Sequence, residues 1–145
     1  MSRKIYVASS WRNDKQPSTV LALLGAGHQV YDFRNPPHGR GGFALSEIDP
    51  AWQSWTAEQY RAALDHPISQ VGFNSDLDGM AWADTGLLLL PAGRSAHLEL
   101  GWMAGRRKKT IVLTRDGEEP ELMALLADHI CVSMPEVIAL LGGAS

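Results

Sequence analysis

An α/β fold is predicted for this chain: one three-layer domain over residues 1–145, built on a parallel sheet of about five strands in flavodoxin-like or Rossmann-like order. Three observations predict it. Short β-rich runs alternate with helical patterns along the whole length. The run Thr85–Pro91 (TGLLLLP) is continuously apolar, as in a strand covered on both faces of a parallel sheet. No internal repeat, coiled-coil pattern or low-complexity segment points elsewhere, and 145 residues suit one domain with a sizeable core.

Each element has its own signal. Lys4–Ala8 (KIYVA) reads as the first strand and ends at Ser9-Ser10. Gln16–Ala26 reads as a helix, with Val20, Leu21, Leu23 and Leu24 as its apolar stripe and Gly25 and Gly27 as its stop. His28–Phe33 (HQVYDF) reads as the second strand. Arg34–Gly42 is rich in Pro, Gly and Arg, a loop long enough to suggest a function. The pattern then predicts a helix over Trp52–Leu64 and another from Pro67 to about Ala83. The central strand Thr85–Leu90 leads into a helix over Ser95–Arg106. After it come a strand (Lys109–Leu113), a helix (Pro120–Ala127), a short strand (His129–Val132) and a last helix (Pro135–Leu141). Right-handed crossovers restrict the possible strand orders to the two named above.

Composition excludes several classes of function. Lys and Arg number 13 against 16 Asp and Glu, which argues against a nucleic-acid polymer as partner. Cys131 is the only cysteine, so neither an intramolecular disulfide nor a Cys-rich metal site can form. The five histidines include no H-x-x-x-H pair, and no metal is expected. No apolar run reaches the ~18 residues of a membrane span. Met1–Lys4 leads directly into a strand with no leader pattern, so a soluble, cytoplasmic protein is the expectation. No G-x-G-x-x-G follows the first strand and no P-loop occurs, so no cofactor is expected.

Glu99 is the only charged residue in Ala96–Gly105 (AHLELGWMAG). It falls in the first or second turn of a helix that follows the central strand. Sites form at the carboxyl ends of such strands, and a helix N-terminus favours an ionised carboxylate. Structural roles fit it poorly. A capping box led by Ser95 needs an acid where Leu98 stands, and the helical neighbours Trp102 and Met103 carry no charge. A solvated surface carboxylate is the remaining plain reading.

Parallel topology brings three segments toward one rim: Tyr6 with Ser9, Ser10, Trp11 and Arg12; Phe73–Gly79 (FNSDLDG); and Ser95 with Glu99. Taken singly, these residues are ambiguous. Tyr6 reads equally as a core aromatic, Asp76 and Asp78 as surface or turn acids, and Trp11 as a stacking platform or a packing residue. Arg12, Arg40, Arg94 and His38 read as phosphate contacts or as solvated loop cations. Asp84 reads as a turn cap outside the catalytic set. Arg106–Lys109 reads as a helix end, where cations suit the dipole.

Together the segments resemble a known family. IYVASSW (Ile5–Trp11) resembles the first strand of the nucleoside 2-deoxyribosyltransferases. FNSDLDG resembles their N-D-L-N-G segment, and HLELGWMAGRRKKTIVL (His97–Leu113) is similar to their catalytic E-L-G-x-A segment and the strand after it. The matches keep their order over roughly Lys4 to Leu113. The wider superfamily includes N-glycosidases that hydrolyse deoxynucleoside or cytidine monophosphates.

The resemblance implies that Glu99 is a nucleophile toward the anomeric carbon, that Tyr6 orients it, and that Asp76 contacts the nucleobase and protonates the leaving group. From their places on the rim, in the FNSDLDG segment and in the adjoining loop, Ser9, Ser10, Trp11, Arg12, Asn74, Ser95 and Arg40 are the candidate substrate contacts. The residue types suit the chemistry. A carboxylate stabilises an oxocarbenium-like state, and a departing base needs a proton.

The expected substrate is a nucleoside or its 5′-monophosphate, the latter held by Ser9, Ser10, Arg12 and Arg40. Two departures bear on the reaction. Gly93 stands where the transferases carry a further aspartate about six residues before the nucleophile. Their C-terminal extension, which completes a neighbouring site, is expected to be absent here. Both tilt the expectation toward hydrolysis or a different substrate. A homodimer or higher homo-oligomer is expected, since this superfamily completes its clefts from a neighbour and Trp52, Trp55 and Tyr60 crowd one segment. The alternative function is a nucleotide-binding or sensing module on the same fold, without turnover.

Overall fold

Five strands, β1 (Lys4–Ala8), β2 (Gln29–Tyr31), β3 (Thr85–Leu89), β4 (Lys109–Leu113) and β5 (His129–Cys131), pair in parallel in the order β2-β1-β3-β4-β5. This is the flavodoxin-like order. The computed structural model describes residues 2–37 and 42–142. His38 and Arg40, both named above, lie outside the described residues. The chain clusters into two compact units, Met1–Asp32 with Met80–Ser145 and Phe33–Gly79.

The first unit contains the sheet and three helices: α1 (Gln16–Gly25), α4 (Arg94–Gly105) and α5 (Met134–Leu140). Side chains alternate along each strand, so the two faces differ. One face presents Ile5, Val7, Leu87, Leu89, Ile111 and Leu113. It packs against Leu23 of α1, Val137 of α5 and Leu141 just beyond it. The other face presents Tyr31, Tyr6, Gly86 and Thr110 in one row, set by the registers Tyr6↔Tyr31, Tyr6↔Gly86 and Gly86↔Thr110. Helix α4 covers this second face. A Cβ on Gly86 would lie 2.7 Å from the Met103 sulfur and 3.2 Å from a Leu100 methyl. Only glycine lets the helix approach the sheet this closely.

The amino ends of the strands are tied by polar groups. Asp84 accepts from the Lys4 amide (3.2 Å) and the Thr85 hydroxyl (2.7 Å), and its own amide donates to the Lys4 carbonyl. Asp84 therefore ties β1 to the start of β3, where a cap of its own turn was expected. The basic run follows the end of α4, with Arg106 as its C-cap, and its lysine side chains also bond the ends of other helices. Lys108 Nζ donates to the carbonyls of Met80 (2.9 Å) and Ala81 (3.0 Å), at the end of α3 (Pro67–Trp82). Lys109 Nζ donates to the Leu140 carbonyl of α5 (2.8 Å). Burial lowers the Lys108 pKa, with the Arg106 charge adding to the effect. His28 is buried, and its Nδ1 accepts from the Arg3 amide at 3.1 Å. Burial lowers its pKa too, reinforced by the Arg3 charge and opposed by Asp84.

The second unit differs from the expected continuous helix over Trp52–Leu64. A 3-10 turn (Trp52–Ser54) is followed by a separate short helix, α2 (Ala57–Ala63). Two local devices break the run. Asp49 accepts from the Trp55 indole (2.8 Å) and the Ala51 amide (2.9 Å), which folds the chain back, and these bonds lower its pKa. Thr56 then restarts a helix through a reciprocal capping box with Gln59. Ser69 Oγ donates to the Ala63 carbonyl at 2.8 Å and closes the corner into α3. Phe43 packs on α3 at Gly72.

Three further elements are shorter or tighter than expected. The second strand keeps Gln29–Tyr31 of His28–Phe33. The segment predicted helical over Pro120–Ala127 is a 3-10 turn, Leu122–Leu126, opened by Glu121 accepting from the Met123 amide. The last strand ends at Cys131, one residue before the expected end. Among the described residues no helix is long and apolar enough to cross a membrane.

Candidate active site

Tyr6 lies in the middle of β1 on the α4 face and is 1% exposed. Its hydroxyl donates a hydrogen bond to a carboxylate oxygen of Glu99. Glu99 is half-buried in the second turn of α4. That helix starts after Gly93, whose extended backbone ends the loop, and His97 Nδ1 donates to the Gly93 carbonyl at 2.7 Å. Glu99 is therefore held by a phenol from the sheet, on a helix whose height above the sheet Gly86 permits. A hydrogen bond to the ionised carboxylate favours that form and fixes its orientation.

The loop after β1 is built around a residue that sequence reading missed. Asn13 is 2% exposed. Its amide nitrogen lies 3.1 Å from Ser9 Oγ, 3.3 Å from the Leu89 carbonyl and 3.2 Å from the Pro91 carbonyl, and its side-chain oxygen accepts from the Lys15 amide (2.9 Å). Ser9 Oγ itself donates to the Leu89 carbonyl at 2.9 Å. Asn13 and Ser9 thus bind the end of β1 to the end of β3. The available signal was an Asn in the turn just ahead of a helix, a place where its side chain bonds nearby backbone. Ser10 Oγ accepts from the Arg12 amide (3.1 Å), which tightens the same turn.

The remaining candidates are less confined. Trp11 is 48% exposed, and Arg12 is exposed beside it. Ser95 and Arg94 are exposed in the first turn of α4. Asn74 and Asp76 lie on the part of α3 that belongs to the second unit, Asn74 exposed and Asp76 half-buried. Among the described residues no group of three His, Cys, Asp or Glu could hold a metal ion. The Cys131 thiol is buried, and burial raises its pKa, with the Glu136 charge acting in the same direction.

Neither a protein-family model nor a curated protein matches the chain. Solved structures do share its fold. A 2-deoxyribosyltransferase from Bacillus psychrosaccharolyticus superposes with a TM-score of 0.58 at 19% sequence identity, over 94% of this chain and 90% of that one. The CMP N-glycosidase of Clostridium botulinum superposes with a TM-score of 0.52 at 15% identity, over 98% of this chain and 99% of that one. These neighbours are the two kinds of enzyme that the sequence resemblance brought together, a deoxyribosyl transferase and a nucleotide N-glycosidase.

Proposed function

We propose that this chain cleaves or transfers the N-glycosidic bond of a nucleoside or nucleoside 5′-monophosphate, with Glu99 as nucleophile. The observation that carries this reading is the Tyr6–Glu99 hydrogen bond. A carboxylate held by a buried phenol has its orientation fixed, as a nucleophile requires. Two proteins of this fold, by their names, act on such bonds.

In the proposed reaction a Glu99 oxygen forms a bond to the anomeric carbon. The bond from that carbon to the base nitrogen breaks, and its electron pair stays with the base. Asp76 supplies the proton that makes the base a neutral leaving group. Water then attacks the anomeric carbon of the glycosyl ester and gives its proton back to Asp76, the bond to the Glu99 oxygen breaks, and the free sugar and the Glu99 carboxylate result; a second base attacking in place of water, its N–H proton also returning to Asp76, gives transfer. Gly93, in place of the acid that the resemblance leads one to expect, favours the hydrolytic outcome. The Ser9 hydroxyl is engaged with the Leu89 carbonyl, whereas the Ser10 oxygen only accepts from the Arg12 amide, so the Arg12 guanidinium with the Ser10 O–H is best suited on this rim to a 5′-phosphate.

The test is a product screen: purified protein incubated with nucleosides and their 5′-monophosphates, and free base followed by chromatography. Release of base from one substrate class supports the enzyme. Binding without release from any of them overturns it in favour of a nucleotide-binding module. A homo-oligomeric state belongs to the same proposal, supported by the exposed rings of Trp52 and Tyr60. A monomer mass at all concentrations in light scattering contradicts that part.

A further inference from the structure

The Tyr6 ring is not held by β1 alone. Tyr31, the last residue of β2, stacks on it with ring centroids 5.1 Å apart and planes 12° from parallel. Tyr31 is 5% exposed, so the pair forms a buried aromatic plate on the α4 face. On the other side of Tyr6 the neighbouring strand presents Gly86, and the space above that glycine is filled by Leu100 and Met103 of α4. Leu100 adjoins Glu99 in sequence, and Met103 lies one helical turn beyond it. One row across three strands therefore fixes both ends of the Tyr6–Glu99 bond. Tyr31 limits the tilt of the phenol ring, and Gly86 sets how closely the helix bearing the carboxylate approaches.

We infer that Tyr31 is a positioning residue for Glu99 and acts through the ring of Tyr6. This rests on the reading of Glu99 as nucleophile only for its consequence in catalysis; the positioning itself is a property of the fold. A phenol free to tilt loses the alignment that a hydrogen bond requires, since such bonds weaken steeply off-axis. Loss of that bond removes stabilisation of the carboxylate anion. Offset-stacked aromatic pairs resist such motion better than aliphatic contact, because their quadrupoles favour one arrangement.

The experiment has one readout that needs no substrate. The protein is labelled with 13C at the glutamate carboxyls, and the Glu99 resonance, assigned with Glu99→Gln, is titrated by NMR. Tyr6→Phe should move the Glu99 titration midpoint to higher pH. Tyr31→Leu should move it in the same direction, and Tyr31→Phe should leave it near the wild-type value. In the Tyr6→Phe background, Tyr31→Leu should add almost nothing, because residues acting through one bond are non-additive. If Tyr31→Leu does not fold, Tyr31→Met carries the test with a flexible side chain in the same space.

A midpoint unmoved by Tyr31→Leu or Tyr31→Met, a loss equally large in Tyr31→Phe, or full additivity with Tyr6→Phe overturns the inference. With whichever nucleoside or monophosphate releases base in the product screen, kcat should fall about tenfold in Tyr31→Leu with KM little changed. A midpoint that shifts as expected in a protein releasing no base leaves the positioning intact and refutes the glycosidic reading alone.

Discussion

The two faces of the sheet are made from the same strands and serve opposite purposes. On the α1/α5 face, β1, β3 and β4 contribute Ile5, Val7, Leu87, Leu89, Ile111 and Leu113, buried in one cluster with Leu23 and Val137, and Thr85 and Lys109 only at the amino ends of β3 and β4. On the α4 face, one residue along, the same strands contribute Tyr6, Gly86 and Thr110, with Tyr31 beside them on β2. The first face mainly removes apolar area from water, and its two polar side chains are satisfied at the strand ends, Thr85 by Asp84 and Lys109 by the Leu140 carbonyl. The second accepts a hydroxyl and a bare backbone position in the middle of a sheet, features that weaken a core. They make sense if the face must hold a carboxylate near the sheet. Stability and chemistry are thus separated by the alternation of side chains along a strand.

Substitutions on the two faces can break this contrast. Glu99→Ala should reduce release of base by ~10²-fold or more, as loss of a covalent nucleophile does, while the denaturation midpoint stays close to wild type. Steady-state kinetics with urea unfolding checks both halves. A large stability loss with normal turnover would reverse the assignment of the faces. Leu23→Ala should do the opposite. It creates a cavity in the aliphatic cluster at about 2–5 kcal/mol, and the molecules that remain folded should turn over at the wild-type rate. Urea denaturation reads the first effect and activity per folded molecule the second.

Tyr6→Phe sharpens the contrast at a single atom. The ring stays, so packing against Tyr31 stays, and the hydrogen bond to Glu99 goes. A bond to a charged group contributes about 1.5–3 kcal/mol, so kcat should drop roughly ten- to a hundredfold with KM little altered. A KM effect alone would make Tyr6 a substrate contact instead.

The smallest expected effect lies at the amino end of the sheet. His28 has a lowered pKa in the folded protein, held neutral by burial while Nδ1 accepts from the Arg3 amide. Above ~pH 6.5, the usual histidine value, it is neutral in both states and its contribution to stability is complete. As pH falls below that value the unfolded chain takes up a proton that the folded chain does not. Stability should therefore decline with falling pH until the folded-state pKa is also passed. His28→Gln should flatten that part of the curve in urea titrations between pH 7.5 and 5, and an unchanged slope would remove His28 as its source.

Much of this was legible in the sequence, for identifiable reasons. Long apolar runs such as Thr85–Leu89 and Lys109–Leu113 announce buried parallel strands, and their alternation with helices yields the sheet. Glu99 stands out because a lone charge in an apolar helix is conspicuous, and Tyr6 because it lies in a motif. What escaped depends on partners distant in the chain. Nothing near Lys108 says that its ammonium meets the carbonyls ending α3, and nothing near Tyr31 says that its ring lies on Tyr6. Ser9 reads as a rim residue facing a ligand and Asn13 carries no such signal, yet the bonds of both run to the end of β3. The break in 52–64 escaped because Asp49 reaches Trp55 across a segment whose helical periodicity is otherwise intact.

The central claim is that the Tyr6-held carboxylate of Glu99 attacks the sugar. Peptide mass spectrometry of protein denatured in acid during turnover of the active nucleoside or monophosphate tests it most directly. The account predicts a pentosyl ester on the peptide containing Glu99, absent from Glu99→Ala, which releases no base at a comparable rate. Base released at the wild-type rate by Glu99→Ala, with the Glu99 peptide of the wild type unmodified, contradicts it.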